Sequence, residues 1–258
     1  MHKAKKRFGQ NFLTDPSIKS HILSAGAPKP GDEIIEIGPG LGSLTEPILE
    51  SGAKLTAIEI DRDLIDKLKQ SFGSHPNFQL IEQDALRLDW ASLLADKPGA
   101  KLIANLPYNI SSPLFFLLAK QRMHFASLTI MLQKEVAWRM SWQPEDSKKE
   151  YGALSVSAQL MFDLERICHV PPTAFNPVPK VDSLVIKLTP KESGVKNEPA
   201  FLAWLRQAFN QRRKLLYKSL GPNIEQLPPQ WLERVKKIRP EELTPTEYLE
   251  LYHLLQPA

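Results

Sequence analysis

The residues best suited to chemistry lie at the ends of apolar runs. In Asn105-Leu106-Pro107-Tyr108 a side-chain amide oxygen stands next to the main-chain carbonyl of Leu106. The following proline has no N–H and keeps Leu106 extended, which leaves that carbonyl able to accept a hydrogen bond. Two converging acceptors suit an exocyclic amine. Upstream, Asp32 to Gly42 reads DEIIEIGPGLG, in which Ile34, Ile35 and Ile37 are β-branched strand formers. Gly38, Gly40 and Gly42 then remove side chains from a turn, so that a ligand can lie against the backbone. On its own such a turn also suits a tight strand-to-helix connection.

Two acids argue for more than a tight turn. Glu59 ends the apolar run KLTAIEI and follows Gly38 by 59 − 38 = 21 positions, where a ribose-binding acid is expected in a nucleotide-binding α/β fold. FQLIEQD ends in Gln83 and Asp84. Successive strand ends therefore deliver polar groups to one edge of a sheet, and the combination reads as a nucleoside site. The dinucleotide fingerprint G-x-G-x-x-G fails at its last position, where Ser43 replaces glycine.

The elements that must position these groups alternate. Strands are predicted at 32–38, 54–60, 78–82 and 101–105, with helices at 43–51, 62–71 and 90–96 between them. A helix from Asp15-Pro16 to about Ala25 precedes them. After NLPY come a helix from Ser111, a strand at 127–132, helices at about 133–141 and 151–161, and strands at 162–170 and 182–188. The last two strands flank PPTAFNPVPK, whose four prolines predict a stiff, extended loop. Lys191 to Asn197 reads as a polar linker and the remainder as helical. The expected architecture is α/β, with a mostly parallel sheet in residues 1–190 and a small all-α domain in residues 191–258.

Composition fits a packed protein of ordinary type: 258 residues, 42% apolar, and a net charge of +4. The single cysteine, Cys168, excludes an intrachain disulfide, and the scattered histidines show no metal-ligand spacing. We therefore expect no metal site. No apolar run is long enough for a membrane span and the N-terminus lacks a signal-peptide core, so a cytoplasmic protein is expected.

The basic excess is concentrated in two places. Lys5, Lys6 and Arg7 precede the first acid, Asp15, and are followed at once by Phe8-Gly9-Gln10-Asn11-Phe12-Leu13. Arg206, Arg212, Arg213, Lys214 and Lys218 fall in residues 199–224, which contain no acid, interleaved with Phe209 and Tyr217. Either stretch suits a solvated face; two such stretches in separate parts of the chain suit phosphate contact.

These motifs together resemble a known family. NLPY resembles the [D/N]-[P/I/L]-P-Y/F signature of class I S-adenosylmethionine-dependent methyltransferases that act on amino nitrogens. KRFGQNFL (Lys6 to Leu13), EIGPGLG, NLPYNIS, LQKEV (Leu132 to Val136), AFNPVPKVDS (Ala174 to Ser183) and AFNQRRK (Ala208 to Lys214) are similar, in order, to the bacterial small-subunit ribosomal RNA adenine N6,N6-dimethyltransferases. Ala104 departs from a common glycine and Gly42 from a common alanine, neither at an assigned contact.

The resemblance implies a Rossmann-like class I methyltransferase with a seven-stranded sheet, using S-adenosyl-L-methionine. It implies that Asn11 and Leu13 cover the methionine end of the cofactor and that Gly38 and Gly40 bring its amino-acid part to the backbone. Glu59, with Ile60 beside it, would hold the ribose, Asp84 and Ala85 the adenine, and Asn105 would face both ligands. Asn105 and the Leu106 carbonyl would receive the target N6, while Tyr108 and Phe175 would hold an unstacked base; core packing is the alternative for both aromatics. Lys5, Lys6, Arg7, Arg206, Arg212, Arg213 and Lys214 would contact ribosomal RNA within an immature 30S particle. The protein would act as a monomer. Cys168, mid-strand, is expected to be inert. A nicotinamide-dependent dehydrogenase and a 30S assembly factor with secondary methylation are the competing readings.

Overall fold

A computed structural model of the chain describes Lys5 and residues 10–255. In order the elements are β1 (Phe12–Leu13), α1 (Pro16–Gly26), β2 (Glu33–Ile37), α2 (Thr45–Glu50), β3 (Lys54–Glu59), α3 (Arg62–Phe72), β4 (Phe78–Glu82), α4 (Trp90–Ala95), β5 (Ala100–Asn105) and α5 (Ser111–Lys120). Then follow β6 (Phe125–Gln133), α6 (Lys134–Met140), α7 (Ala153–Met161), β7 (Phe162–Val170), β8 (Phe175–Asn176), β9 (Ser183–Pro190), α8 (Glu198–Ala208), α9 (Pro229–Val235) and α10 (Pro245–Leu255).

The larger sheet has seven strands in the order β4-β3-β2-β5-β6-β9-β7. β2 is parallel to both β3 and β5, β3 to β4, and β5 to β6, while β9 runs antiparallel to β6. The expected mostly parallel sheet is what forms. Its centre is apolar without alternation, because a central parallel strand is covered on both faces: Ile34, Ile35 and Ile37 are 1%, 0% and 2% exposed. Each such burial contributes roughly 1.5 to 3 kcal/mol. The chain leaves β2 outward to β3 and β4, then returns to β5 on the other side of β2, so the strand order reverses between β2 and β5. A crevice outside the carboxyl ends of those two strands is where an open α/β sheet takes its ligand.

Helix α1 starts where its sequence dictates. Asp15 accepts hydrogen bonds from the Ser17 and Ile18 N–H groups at 2.8 and 3.1 Å, and Pro16 takes the first turn, which needs no N–H. Helix α2 begins at Thr45 and has six residues, shorter than the expected 43–51, because positive φ at Gly40 and Gly42 prolongs the turn. The small β1–β8 sheet was not foreseen: Leu13 pairs with Phe175 and Phe12 with Asn176.

The chain divides into two compact units, residues 1–137 with 164–190, and residues 138–163 with 191–258. One boundary between the units lies between Pro190 and Lys191, and neither unit is continuous in sequence. Tyr151, Val156 and Leu160, on and before α7, are buried with Phe201, Leu205, Tyr248 and Leu251 of the helical unit. An apolar face completed by α8 and α10 overrides sequence adjacency to the sheet. No helix among the described residues is long and apolar enough to cross a membrane.

Candidate active site

A cavity of about 330 Å³ opens at the carboxyl ends of the strands of the first unit. Its floor is the glycine turn. Gly38 and Gly40 have φ of 66° and 62°, in the left-handed region that side chains disfavour. A Cβ on Gly40 would also meet the Phe12 ring at 3.1 Å, so the spacing of these glycines serves both the turn and the approach of the N-terminal segment.

Three strand ends supply carboxylates. Glu59, 6% exposed, accepts hydrogen bonds from the N–H groups of Ile60 and Asp61, both at 2.9 Å. Burial pushes its pKa up from the ordinary carboxylate value, against those backbone donors. Asp84 lines the cavity and accepts from the Leu86 N–H at 2.9 Å. Glu36, which the motif reading did not single out, also lines the cavity and is 2% exposed. Its Oε2 accepts from the Thr45 hydroxyl at 2.7 Å, and burial, reinforced by the Glu59 charge, raises its pKa to about 8. The signal was present in EIIEIG, where an acid interrupts a buried run.

Asn105, Leu106 and Tyr108 line the same cavity. Asn105 donates from Nδ2 to the Asn11 carbonyl at 3.3 Å. Oδ1 is therefore the end of that amide available to accept. Leu106 is fully buried with its N–H spent on the Met131 carbonyl at 3.1 Å. Tyr108 is half-buried at the cavity, its hydroxyl 2.6 Å from Ser183 Oγ, and the Ser111 hydroxyl donates to its carbonyl at 3.0 Å. Burial raises the Tyr108 phenol pKa.

Most expected residues meet here: Asn11, Leu13, Gly38, Gly40, Glu59, Ile60, Asp84, Asn105, Leu106 and Tyr108 all line the cavity. Ile60 and Leu41 are 45% and 50% exposed and give it apolar rim surface. Two expected residues do not line it. Ala85 is buried and uses its carbonyl to accept from Trp90 Nε1 at 2.9 Å. Phe175 is 2% exposed, on a strand paired with β1, and belongs to the core cluster that includes Leu13, Ile22 and Val185.

The basic residues separate in the same way. Lys5 Nζ lies 2.5 Å from Asp61 Oδ1 and 2.7 Å from Asp63 Oδ2, so its charge is committed within the chain. Lys6 and Arg7 lie outside the described residues. Arg206 is exposed in the last turn of α8. Arg212 donates to the Lys149 and Lys148 carbonyls at 2.9 and 3.0 Å, whereas Arg213 and Lys214 are exposed in the turn after α8. No group of three or more His, Cys, Asp or Glu among the described residues could hold a metal ion.

The cavity fits a nucleoside-bearing cation such as S-adenosylmethionine: buried carboxylates, backbone opened by glycine, and apolar rim. Comparison with known proteins agrees. The family model described as ribosomal RNA adenine dimethylase matches residues 1–256. The chain is 43% identical over 259 residues to the ribosomal RNA small subunit methyltransferase A of Marinobacter nauticus, covering 98% of this chain and 92% of that protein. It is 41% identical over 257 residues to the protein of the same name from Pseudomonas aeruginosa, covering 98% and 95%. A crystal structure of a dimethyladenosine transferase from Plasmodium falciparum superposes with a TM-score of 0.78 at 30% identity, covering 93% of this chain and 95% of that one. A 23S rRNA methyltransferase, ErmE, shares the fold at a TM-score of 0.70 and 23% identity, covering 95% and 99%. These likenesses leave the dehydrogenase reading without support, and the chain belongs to the ribosomal RNA adenine dimethylase family.

Proposed function

We propose that this chain transfers methyl groups from S-adenosyl-L-methionine to N6 of two adjacent adenines in the 3′-terminal hairpin of small-subunit ribosomal RNA, giving N6,N6-dimethyladenosine in an immature 30S particle. What carries the reading is one cavity lined both by Glu59 and Asp84 and by Asn105, Leu106 and Tyr108. Family membership supplies the RNA and adenine class. On this reading the protein acts as a cytoplasmic monomer.

When bound, S-adenosylmethionine supplies an electrophilic methyl on a sulfonium. The residues of the chain bind, orient and accept. Glu59 would hold the ribose hydroxyls, Asp84 the cofactor's adenine amine, and Asn11 and Leu13 its methionine end. Ile60 and Leu41 offer apolar surface to the adenine faces. Asn105 Oδ1 and the Leu106 carbonyl accept hydrogen bonds from the target N6, two in the first transfer and one in the second, when N6 carries a single hydrogen, and these favour a tetrahedral nitrogen whose lone pair is out of ring conjugation as charge develops. Tyr108 holds the extruded base. The N6 proton leaves to water after transfer, since a methylated anilinium-like nitrogen is acidic enough to need no side-chain base.

The test is mass spectrometry of RNA from unmethylated small subunits incubated with the protein and methyl-labelled S-adenosylmethionine. Label as N6,N6-dimethyladenosine at two adjacent positions is expected. No label, or label in any form other than N6,N6-dimethyladenosine at two adjacent positions, overturns the reading.

A further inference from the structure

Asp61 does not line the cavity, yet it is 1% exposed and carries more hydrogen bonds than a helix cap needs. As N-cap of α3 it accepts from the Asp63 N–H at 3.2 Å through Oδ1. That is the structural role any Asp or Asn could fill. Two further contacts of its carboxylate reach back to the beginning of the chain. Lys5 Nζ donates to Oδ1 at 2.5 Å and Gln10 Nε2 to Oδ2 at 2.7 Å. Gln10 Oε1 accepts from the Lys5 main-chain N–H at 2.8 Å, closing a ring of three residues through the Lys5 backbone. Burial alone would raise the Asp61 pKa, but the Lys5 ammonium and the Gln10 amide hold it below the ordinary value.

What this ring fixes lies on either side of it. The Asp61 N–H donates to Glu59 at 2.9 Å, which places the ring beside the carboxylate assigned to the ribose. Gln10 precedes Asn11, whose carbonyl accepts from Asn105 Nδ2 at 3.3 Å. Residues 10 and 11 thus run from the ribose side of the cavity to its transfer side, and Gln10 and Asn11 both line it. An exposed ion pair contributes little. This pair has one fully buried partner with a second hydrogen bond to it, so loss of either end leaves a buried group unmatched.

We propose that Asp61 is a positioning residue of the methyl-transfer site: through Lys5 and Gln10 it ties the N-terminal segment across the cofactor cavity, and through Asn11 that segment orients the Asn105 amide. The role rests on the cofactor reading above. It gives the first basic residue of the described chain a function within the enzyme.

The experiment uses the full chain with Lys5→Ala, Lys5→Arg, Asp61→Asn and the Lys5→Ala/Asp61→Asn pair. Asp61→Asn keeps the cap of α3, and Lys5→Ala removes a partly exposed side chain outside every helix and strand, so at least one variant folds as the parent does. Hydrogen exchange of the ligand-free chain comes first, because it is independent of any cofactor. Exchange of the amides of residues 10–13 is expected to quicken about tenfold in Lys5→Ala and Asp61→Asn and to stay near wild type in Lys5→Arg. Binding of S-adenosylhomocysteine by calorimetry is expected to weaken about fivefold to tenfold in each single variant, with no further loss in the pair, the signature of one shared interaction. Single-turnover transfer at saturating cofactor is expected to fall about fivefold as well, through Asn105. Unchanged exchange and affinity in both single variants, or additive losses in the pair, overturn the proposal. Failure of the wild-type chain to bind S-adenosylhomocysteine overturns the cofactor reading instead, while the exchange data still decide whether the tie exists.

Discussion

The Tyr108 hydroxyl lies 2.6 Å from Ser183 Oγ, a contact between the loop after β5 and the first residue of β9. Ser183 is fully buried and its backbone is paired with Gln133 of β6, so the phenol is referenced to the sheet. On the proposed reading the ring holds a base and gains from such an anchor, because its rotamer is fixed before the substrate arrives. Replacing Ser183 by Ala is expected to slow methyl transfer about fivefold to tenfold, the cost of about one hydrogen bond, and to leave cofactor affinity unchanged. Thr should restore part of the rate. Loss of cofactor binding in the Ala variant would place the effect in the sheet rather than at the ring.

Glu59 carries the prediction for the cofactor. Two backbone N–H groups hold it facing the cavity, so its charge-assisted hydrogen bonds to a ribose need no reorganisation. Glu59→Ala is expected to weaken S-adenosylmethionine by about 1 to 3 kcal/mol. Calorimetry measures it, and an unchanged dissociation constant would remove Glu59 from the ribose.

Glu36 makes stability depend on pH in an unusual direction. Its folded pKa is raised to about 8 from an ordinary 4.5, so between those values the folded chain holds a proton that the unfolded chain has released. The unfolded state then binds fewer protons, and this group's contribution to stability falls as pH rises through the window. Glu36→Gln keeps the shape and removes the titration. The variant's melting temperature minus that of wild type is expected to become more positive from pH 5 to pH 9, by an amount of the order of a few kcal/mol in stability. A difference that does not change with pH would mean that Glu36 is ionised in the fold.

Much of this site could be read from the chain because its parts are local. Glycines at positive φ, acids at strand ends and an acceptor before proline each declare themselves within a few residues. Long-range partners do not. Nothing near Phe175 says that two residues of β8 will pair with β1 and bury the ring, and nothing near Lys5 points to Asp61, 56 positions away. The 138–163 segment joins the helical unit for the same reason: its apolar face matches residues beyond 200.

Asn105 is predicted to act in transfer more than in binding. Its Nδ2 donates to the Asn11 carbonyl, which leaves Oδ1 as the acceptor end of the amide. Asn105→Ala is expected to slow single-turnover transfer by roughly 10² to 10³, as for loss of one preorganised transition-state partner, with RNA affinity nearly unchanged. A variant with a near-normal rate would move the acceptor role to another residue.

The basic turn after α8 divides into a structural and a contacting part. Arg212 spends its guanidinium on the carbonyls of Lys148 and Lys149, fastening the loop before α7 within the helical unit. Arg213 and Lys214 are exposed in that turn. If they meet phosphates, each replacement by Ala should reduce the log–log salt slope of RNA binding by roughly 0.7 to 0.9, through lost counterion release, with little regard to base sequence. Arg212→Ala should instead lower the melting temperature and speed proteolysis in residues 143–150, with a smaller change in slope. Binding to immature 30S particles and to the naked hairpin, measured across a salt series, separates the two. Equal slopes for wild type and for the Arg213→Ala/Lys214→Ala pair would make the turn a solvated surface and shift RNA contact to other basic residues, Arg206 and Lys218 first among them in the helical unit.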